Sequence, residues 1–449
     1  MYKYKFVVEN VIITVITMAL IHANSCECAK SELDLFGVPP TMSSVEGGHW
    51  QKLGTITALS DEGPYEFVIS GSGEDYVDLG NTNLMVRARI MKADGTNIGD
   101  QDDVGPINLW LHSLFGDVTV SLNEKLISPP TNAYAYRAYI ETLLSYGSEA
   151  KKSQLTAAMW YGDTAGKFEN RDDENKGFKS RKELTETSKI VEMMGKLHSD
   201  LFQQERYLIN NVDVKVRLTR NKDAFCLMGN GEYKINIKEI YLMVRKVRLT
   251  PAVRMAHVKA LQQSVVKYPI NRVEMKVYAV PRGDMTSTNE NLFLGQLPKR
   301  IIVGCVDDDA FNGRLTKNPF HFKHNKINFL VMYLDGKQIP SDPLKPDFTR
   351  GNYVRAFANL FNATGKMYQD EGNGISMRDF GQGYTLFAFD LTPDLCELGT
   401  FHLIKSGNVK LEIHFAEPLA ATVNVIVYVE FDNIIEIDRH RQILFDFSA

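Results

Sequence analysis

The chain has 449 residues, 44% hydrophobic and 24% charged, with a net charge of −4. The length suggests two or three domains, each able to bury a full core without disulfides or metals, and the charge argues against a protein that condenses nucleic acid, whose footprint is strongly basic. The cysteines (Cys26, Cys28, Cys226, Cys305 and Cys396) are odd in number and mostly isolated, which speaks against a disulfide framework and for folding in a reducing compartment.

At the N-terminus, Lys3 and Lys5 precede an apolar stretch from Val11 to Ile21, and small residues follow at Ala23 and Ser25. This has the outline of a secretory signal peptide and is too short to span a bilayer. Glu9 and Asn10 break its front edge, and Met18 offers a second start. The alternative is therefore that residues 1–17 are an extension or a mis-chosen start. Residues 24–50 are polar and turn-rich, with Pro39, Pro40, Gly47 and Gly48. Residues 1–47 read as an arm, with Leu33, Leu35 and Phe36 as candidate contacts to a neighbouring subunit.

From there β signals dominate. Strands are expected over Tyr65–Ile69, Leu84–Ile90, Val118–Leu122, Val212–Leu218, Lys234–Arg248, Arg272–Val280, Arg300–Val306, Ile327–Leu334, Val409–Phe415 and Thr422–Phe431. Several alternate apolar and polar residues, as a half-buried strand does. Helical spacing predicts Tyr134–Tyr146, closed by Gly147, and Tyr353–Thr364, closed by Gly365. Pro251 opens a short helix through Leu261, and Thr185–Leu201 reads as a fourth.

An internal repeat organises these elements. Leu122, Lys125 and Ile127 recur as Leu334, Lys337 and Ile339, 212 residues on, around the turn pairs Asn123-Glu124 and Asp335-Gly336. Arg137-Ala138-Tyr139 and Gly147 recur as Arg355-Ala356-Phe357 and Gly365, 218 residues on. The Asp-Gly pair is a hairpin signal, and the change of offset fits an insertion in the intervening loop. Val214–Leu218 and Val409–Ile413 form a further similar pair. Many strands with few helices exclude a βαβ sheet. The expected fold is all-β: two tandem eight-stranded jelly-roll sandwiches with a few short inserted helices. The first is placed at 48–250 and the second at 265–449, joined by a linker helix in 251–264.

Several segments carry a resemblance: Ser25–Phe36 with Pro39-Pro40-Thr41, Phe311-Asn312-Gly313, Pro319-Phe320, Tyr333–Lys337 with Pro340, Asn373-Gly374-Ile375, Arg378-Asp379-Phe380 and Tyr384–Thr392. Together they resemble the major capsid proteins of Polinton/Maverick elements and adintovirus-like viruses, from about residue 18 to 440. The resemblance implies a vertical double jelly roll of the adenovirus-hexon type. It also implies a homotrimeric pseudo-hexagonal capsomer, an icosahedral shell, and copies that meet through loops and terminal arms. Residues 1–17 depart from the pattern.

Other motifs have bland readings. Asp307-Asp308-Asp309 has the chemistry of a cation site, but after a strand it reads as a turn and helix N-cap. His321 and His324 would point to opposite faces of a strand, and His22 with Cys26 and Cys28 lacks a second Cys pair at zinc spacing. No GxSxG elbow, P-loop or helix-opening GxGxxG is present. Gly71-Ser72-Gly73 and Gly372-Asn373-Gly374 read as turns. Arg282-Gly283-Asp284 has the form of an integrin-binding tripeptide, but its glycine and aspartate also suit an ordinary turn. The Asn362 sequon falls inside a predicted helix, and Lys176–Lys182 reads as a solvated basic loop.

The function expected is structural, not enzymatic. The chain pairs with itself, then with a penton or minor capsid protein, and walls in DNA without binding it specifically. No cofactor, metal or membrane span is expected. The alternative is a secreted β-sandwich that binds or hydrolyses carbohydrate, which would require a true signal peptide and draw on some pair of acidic residues.

Overall fold

The computed structural model describes residues 24, 30–393, 395 and 400–445. The chain divides into two units, Met1–Ser43 and Ser44–Ala449. In the first, a short turn of helix covers Ser31–Leu33, and the Asp34 carboxylate accepts a hydrogen bond from the Gly37 amide at 2.9 Å.

The second unit is built from strands. In chain order these are β1 (Val45–Gly54), β2 (Tyr65–Ile69), β3 (Tyr76–Lys92), β4 (Val104–Pro106), β5 (Phe115–Leu122), β6 (Lys125–Ser128), β7 (Val191–Lys196), β8 (Val214–Arg220), β9 (Leu227–Gly229) and β10 (Tyr233–Leu249). The second series is β11 (Val266–Val280), β12 (Thr286–Gln296), β13 (Arg300–Asp307), β14 (Ile327–Leu334), β15 (Lys337–Leu344), β16 (Leu386–Asp390), β17 (Ser406–Phe415), β18 (Val423–Ile437) and β19 (Ile443–Leu444).

The sheets run β1-β10-β3-β7 and β2-β8-β5-β6 in the first half, and β11-β18-β13-β16 and β12-β17-β14-β15 in the second. Setting aside the short β4–β9 pair and β19, each half has eight strands in one order. The first, eighth, third and sixth make one sheet, and the second, seventh, fourth and fifth make the other. All these pairings are antiparallel. This is the jelly roll, twice. Alternation drives it: along β8, Val214, Val216 and Leu218 are buried while Lys215, Arg217 and Thr219 face solvent, and the inward rows of each sheet pair make the core.

The repeat read from the sequence is visible here. β5–β6 and β14–β15 are equivalent hairpins. Their turn residues, Asn123 and Glu124 in one and Asp335 and Gly336 in the other, all have positive φ, the geometry of a type I′ turn. Each hairpin leads through a loop to a helix, Tyr134–Ser145 in the first half and Val354–Ala363 in the second. Helix Pro251–Leu261 joins β10 to β11.

The structure corrects several expectations. β1 starts at Val45, inside the segment read as arm. Gly147 is extended and starts the next short helix, whereas Gly365 has φ +66 as a C-terminal glycine should. No helix covers Thr185–Leu201. A helix from Lys176 ends at Thr185, a 3-10 turn follows at Glu186–Ser188, and strand β7 then runs against Asn83–Ala88, with Met193 inside and Met194 outside. Residues Lys176–Lys182 are helical, not loop. Asn175 caps that helix by accepting from the Phe178 amide, and Arg181 is buried. Pairing with a sheet edge and burial of an arginine are tertiary effects that override local pattern.

Candidate assembly surfaces

The two sandwiches meet along a seam built mostly by the connection between β6 and β7, residues 129–190 (the seam also draws in residues 198–202). Helix Tyr134–Ser145 lies within it and is buried from Tyr134 to Leu144. Tyr136 stacks on Phe311 (ring centroids 5.5 Å apart), and Tyr139 stacks on Phe320 (4.2 Å). Phe168 stacks on His321 at 4.7 Å. Aromatic pairs of this kind add about 0.5–1.5 kcal/mol each beyond the area they bury.

Two polar clusters cross the same seam. In one, Arg137 donates to Glu141 (2.8 Å) and Asp200 (2.6 Å). Asp200 also accepts from the Val273 amide, and Glu141 from the Tyr428 hydroxyl at 3.4 Å, both in the second half. Burial alone would raise the Glu141 carboxyl, but Arg137 and His198 outweigh it and hold its pKa at about 2. His198 Nδ1 lies 2.6 Å from Glu141, and its ring stands edge-on to His112 at 4.7 Å. Burial, reinforced by His198, pushes His112 well below the ordinary value of 6.5.

In the other cluster, Asp163 accepts from Arg181 (2.7 Å), Asn175 (2.9 Å) and, across the seam, Asn318 (3.1 Å). The Tyr384 hydroxyl donates to the Asp163 carbonyl at 2.5 Å. Lys151 bridges the Leu143 and Asn373 carbonyls at 2.6 and 2.5 Å, and burial lowers its pKa to about 7. Buried ions joined this fully fix one arrangement of the partners, and removing one member strands the rest. Glu141, Asp163 and Asp200 were not singled out from the sequence, and Arg137 only as part of the repeat. The signal available was Arg137 and Glu141 set among apolar residues of one helix.

Of the candidates that were singled out, His321 stands in the seam against Phe168, and most of the rest lie elsewhere. Leu33, Leu35 and Phe36 are exposed, as are Val38 and Met42. Arg282, Gly283 and Asp284 form the exposed turn between β11 and β12, where Gly283 has φ +93 and its amide bonds the Leu419 carbonyl. Asp307 precedes a short helix, but its side chain makes no cap and instead holds Lys317 and Lys323 at 2.8 and 2.7 Å. His321 is committed to Phe168 and Glu169, and His324 to Phe348. Among the described residues, no group of three or more His, Cys, Asp or Glu is arranged to hold a metal, and no helix is long and apolar enough to cross a membrane. Cys226 and Cys305 are buried, and burial pushes both thiols up to about 12. His22, Cys26, Cys28 and Cys396 lie outside the described residues. Asn362 sits in the second-half helix.

No family model matches the chain. An uncharacterized protein of Caenorhabditis elegans is 27% identical over 424 residues, covering 91% of this chain and 99% of the worm protein. Among solved structures, a chain of the Sputnik virophage matches with TM-score 0.64 at 12% identity, over 96% of this chain and 94% of its own. The Faustovirus major capsid protein matches with TM-score 0.56 at 8% identity, over 92% of each chain. The mavirus major capsid protein matches with TM-score 0.54 at 9% identity, over 96% and 97%. The fold is thus the double jelly roll of these capsid proteins, along nearly the whole chain.

Proposed function

We propose that this chain is the major structural subunit of an icosahedral shell, three copies of which close a pseudo-hexagonal capsomer. The carrying observation is architectural. One chain holds two jelly rolls of identical strand order, locked by a buried seam, in a fold shared end to end with named major capsid proteins. Fold alone does not fix function, so the weight rests on how completely that shared architecture spans the chain.

In this reading the work of the protein is assembly, inside the host cell and in the virion, with no reaction to catalyse. The shell walls in DNA through bulk, since a net charge of −4 gives no basic footprint. A penton or minor capsid protein completes the vertices. The sandwiches divide near 45–250 and 265–449, joined through 251–264. The exposed arm, through Leu33, Leu35 and Phe36, clips a neighbouring subunit by adding to a sheet edge. The Arg282–Asp284 turn is an ordinary exposed turn.

The test is the assembly mass of protein expressed from Met18, by light scattering on a sizing column with negative-stain imaging. A particle of three chain masses with a six-sided outline is expected. A stable monomer would overturn the capsomer and favour a secreted carbohydrate-binding sandwich, to be followed by a glycan screen. Deleting residues 18–43 should leave trimers intact and reduce the yield of closed shells. Loss of soluble protein on that deletion would make the arm part of the fold.

A further inference from the structure

Helix Pro251–Leu261, between the end of β10 and the start of β11, is exposed along most of its length. Of its 11 residues only Leu261 is buried, and Met255 and Val258 stand 70% and 53% exposed. A helix this short is marginal in water by itself and draws its stability from packing an apolar face. Here the packing is incomplete, because two hollows of about 560 and 330 Å³ flank the helix. His257, Ala260, Leu261 and Ser264, an i, i+3, i+4, i+7 stripe, line the larger one. Pro251, Arg254, Met255 and Val258 repeat that spacing along the smaller.

The larger hollow is apolar inside. Tyr76 and Leu249 wall it from the first sandwich and Val266 and Tyr268 from the second, with Ile209 between them. Its two buried tyrosines are already satisfied. The Tyr268 hydroxyl accepts from the Ile209 amide at 2.9 Å and donates to the Tyr207 carbonyl at 3.1 Å, and the Tyr76 hydroxyl meets His257 Nδ1 at 2.9 Å. Ordered water needs several polar partners, which such walls do not offer. Left unfilled, the hollow forfeits the contacts that close packing gives a lining. The rim is different. Arg206 and Lys267 stand exposed there, and Glu205 is the one carboxylate among the lining residues. Lys267 lies 3.7 Å from Glu436. The Arg206 guanidinium donates to the Lys267 carbonyl at 2.5 Å, and among the described residues no carboxylate lies within ion-pair distance of it.

We infer that the larger hollow is a binding site for a long-chain fatty acid. The hydrocarbon tail fills the space between the linker helix and the two sandwiches, and the carboxylate meets the Arg206 guanidinium and the Lys267 ammonium at the rim. The volume lies within the range of about 300–1,000 Å³ usual for small-molecule sites, and so does the composition, mostly apolar with a few placed polar groups. An anionic head suits a rim where one cation has no carboxylate partner. The tail supplies the apolar contacts that the stripe from His257 to Ser264 lacks. The role is structural: a ligand that binds the folded chain alone stabilises it by mass action, and this one braces the tether between the sandwiches. It is additional to assembly, and it binds whether or not a shell forms.

The experiment uses the full chain, stripped of lipid on a hydrophobic resin and titrated with palmitate in a calorimeter, with thermal melting in parallel. One palmitate per chain is expected, and a melting midpoint that rises with palmitate concentration. Ala260→Trp, at an exposed helix position that lines the hollow, should abolish binding while the ligand-free protein melts close to wild type. Ser264→Phe fills the same space from the next turn and should do the same. Arg206→Ala should weaken palmitate by about tenfold, the scale of one charge-assisted hydrogen bond. It should leave hexadecanol, which has the same tail and no charge, unaffected. Failure of palmitate to bind the wild type, or undiminished binding by both filled variants, would overturn the site. Tighter binding of hexadecanol or of lysophosphatidylcholine than of palmitate would overturn the fatty acid as its ligand.

Discussion

Arg137 and Arg355 occupy the same place in the repeat, in the first turn or so of helices that follow the same hairpin. Arg137 is buried, holding Glu141 and Asp200 and, through them, the second half. Arg355 stands in solvent, paired with Asp342 and the Pro343 carbonyl beside it. The sheets that position the two arginines are the same. The difference comes from what faces each helix. Asp200, in the connection between β7 and β8, and Val273 and Tyr428 of the second sandwich close over the Arg137–Glu141 pair, while Arg355 lies beside exposed Asp342 and half-buried Pro343 of β15. Strand order sets where a residue stands, and the excursions between strands set whether that place is interior or surface.

The largest expected effect sharpens this comparison. Arg137→Ala should cost about 3–5 kcal/mol in chemical denaturation, because it leaves Glu141 and Asp200 buried without their cation. Arg355→Ala should cost no more than about 1 kcal/mol, the scale of an exposed ion pair. Equal losses would break the comparison.

The second effect is a dependence on pH. His112 is neutral and buried in the fold, with a pKa well below 6.5. It is packed against His198, Tyr134 and, beyond His198, Glu141. As pH falls below 6.5 the unfolded chain takes up a proton at this position and the folded chain does not, so stability falls. Glu141 adds to this loss only below the ordinary carboxylate range, where its own contribution fades as pH falls toward about 2. Denaturation midpoints should drop between pH 7 and 5, and His112→Gln should flatten that drop. An unchanged slope in the variant would assign the effect to other groups.

The smallest effect concerns the hairpins. Glu124 has φ +68 where the second half has Gly336 at φ +78. A left-handed conformation costs a residue with a Cβ roughly 1–2 kcal/mol. Glu124→Gly should therefore stabilise by up to about 1 kcal/mol, and Gly336→Ala should destabilise by a similar amount, both read as shifts in thermal midpoint. Opposite signs would show that side-chain contacts, not φ, decide these turns.

Much of the fold was legible because burial on one face writes a pattern. β14 was expected over the residues it occupies, Ile327–Leu334, and the twin hairpins followed from Asn123-Glu124 and Asp335-Gly336. β1 was missed because both its faces are largely exposed, so no alternation marks it. β7 was missed because Glu192, Met193 and Met194 suit a helix as well as a sheet edge. The seam was legible only in part. The repeat drew attention to Arg137-Ala138-Tyr139, but nothing local shows that Asp163, Arg181 and Asn318 meet, since the last is 155 residues from the first. Their burial depends on a partner surface that exists only once both sandwiches have formed.

The linker helix Pro251–Leu261 is 11 residues long, about 16 Å at the helical rise. A tether of that length holds the two sandwiches at high effective concentration. Closing the seam is then a unimolecular step, spared the translational and rotational entropy loss of roughly 4–15 kcal/mol that separate molecules incur. A tethered contact can tolerate buried charges such as Arg137, Asp200 and Glu141, whose desolvation nearly cancels their attraction. A contact between free chains has no such allowance and must draw on apolar surface.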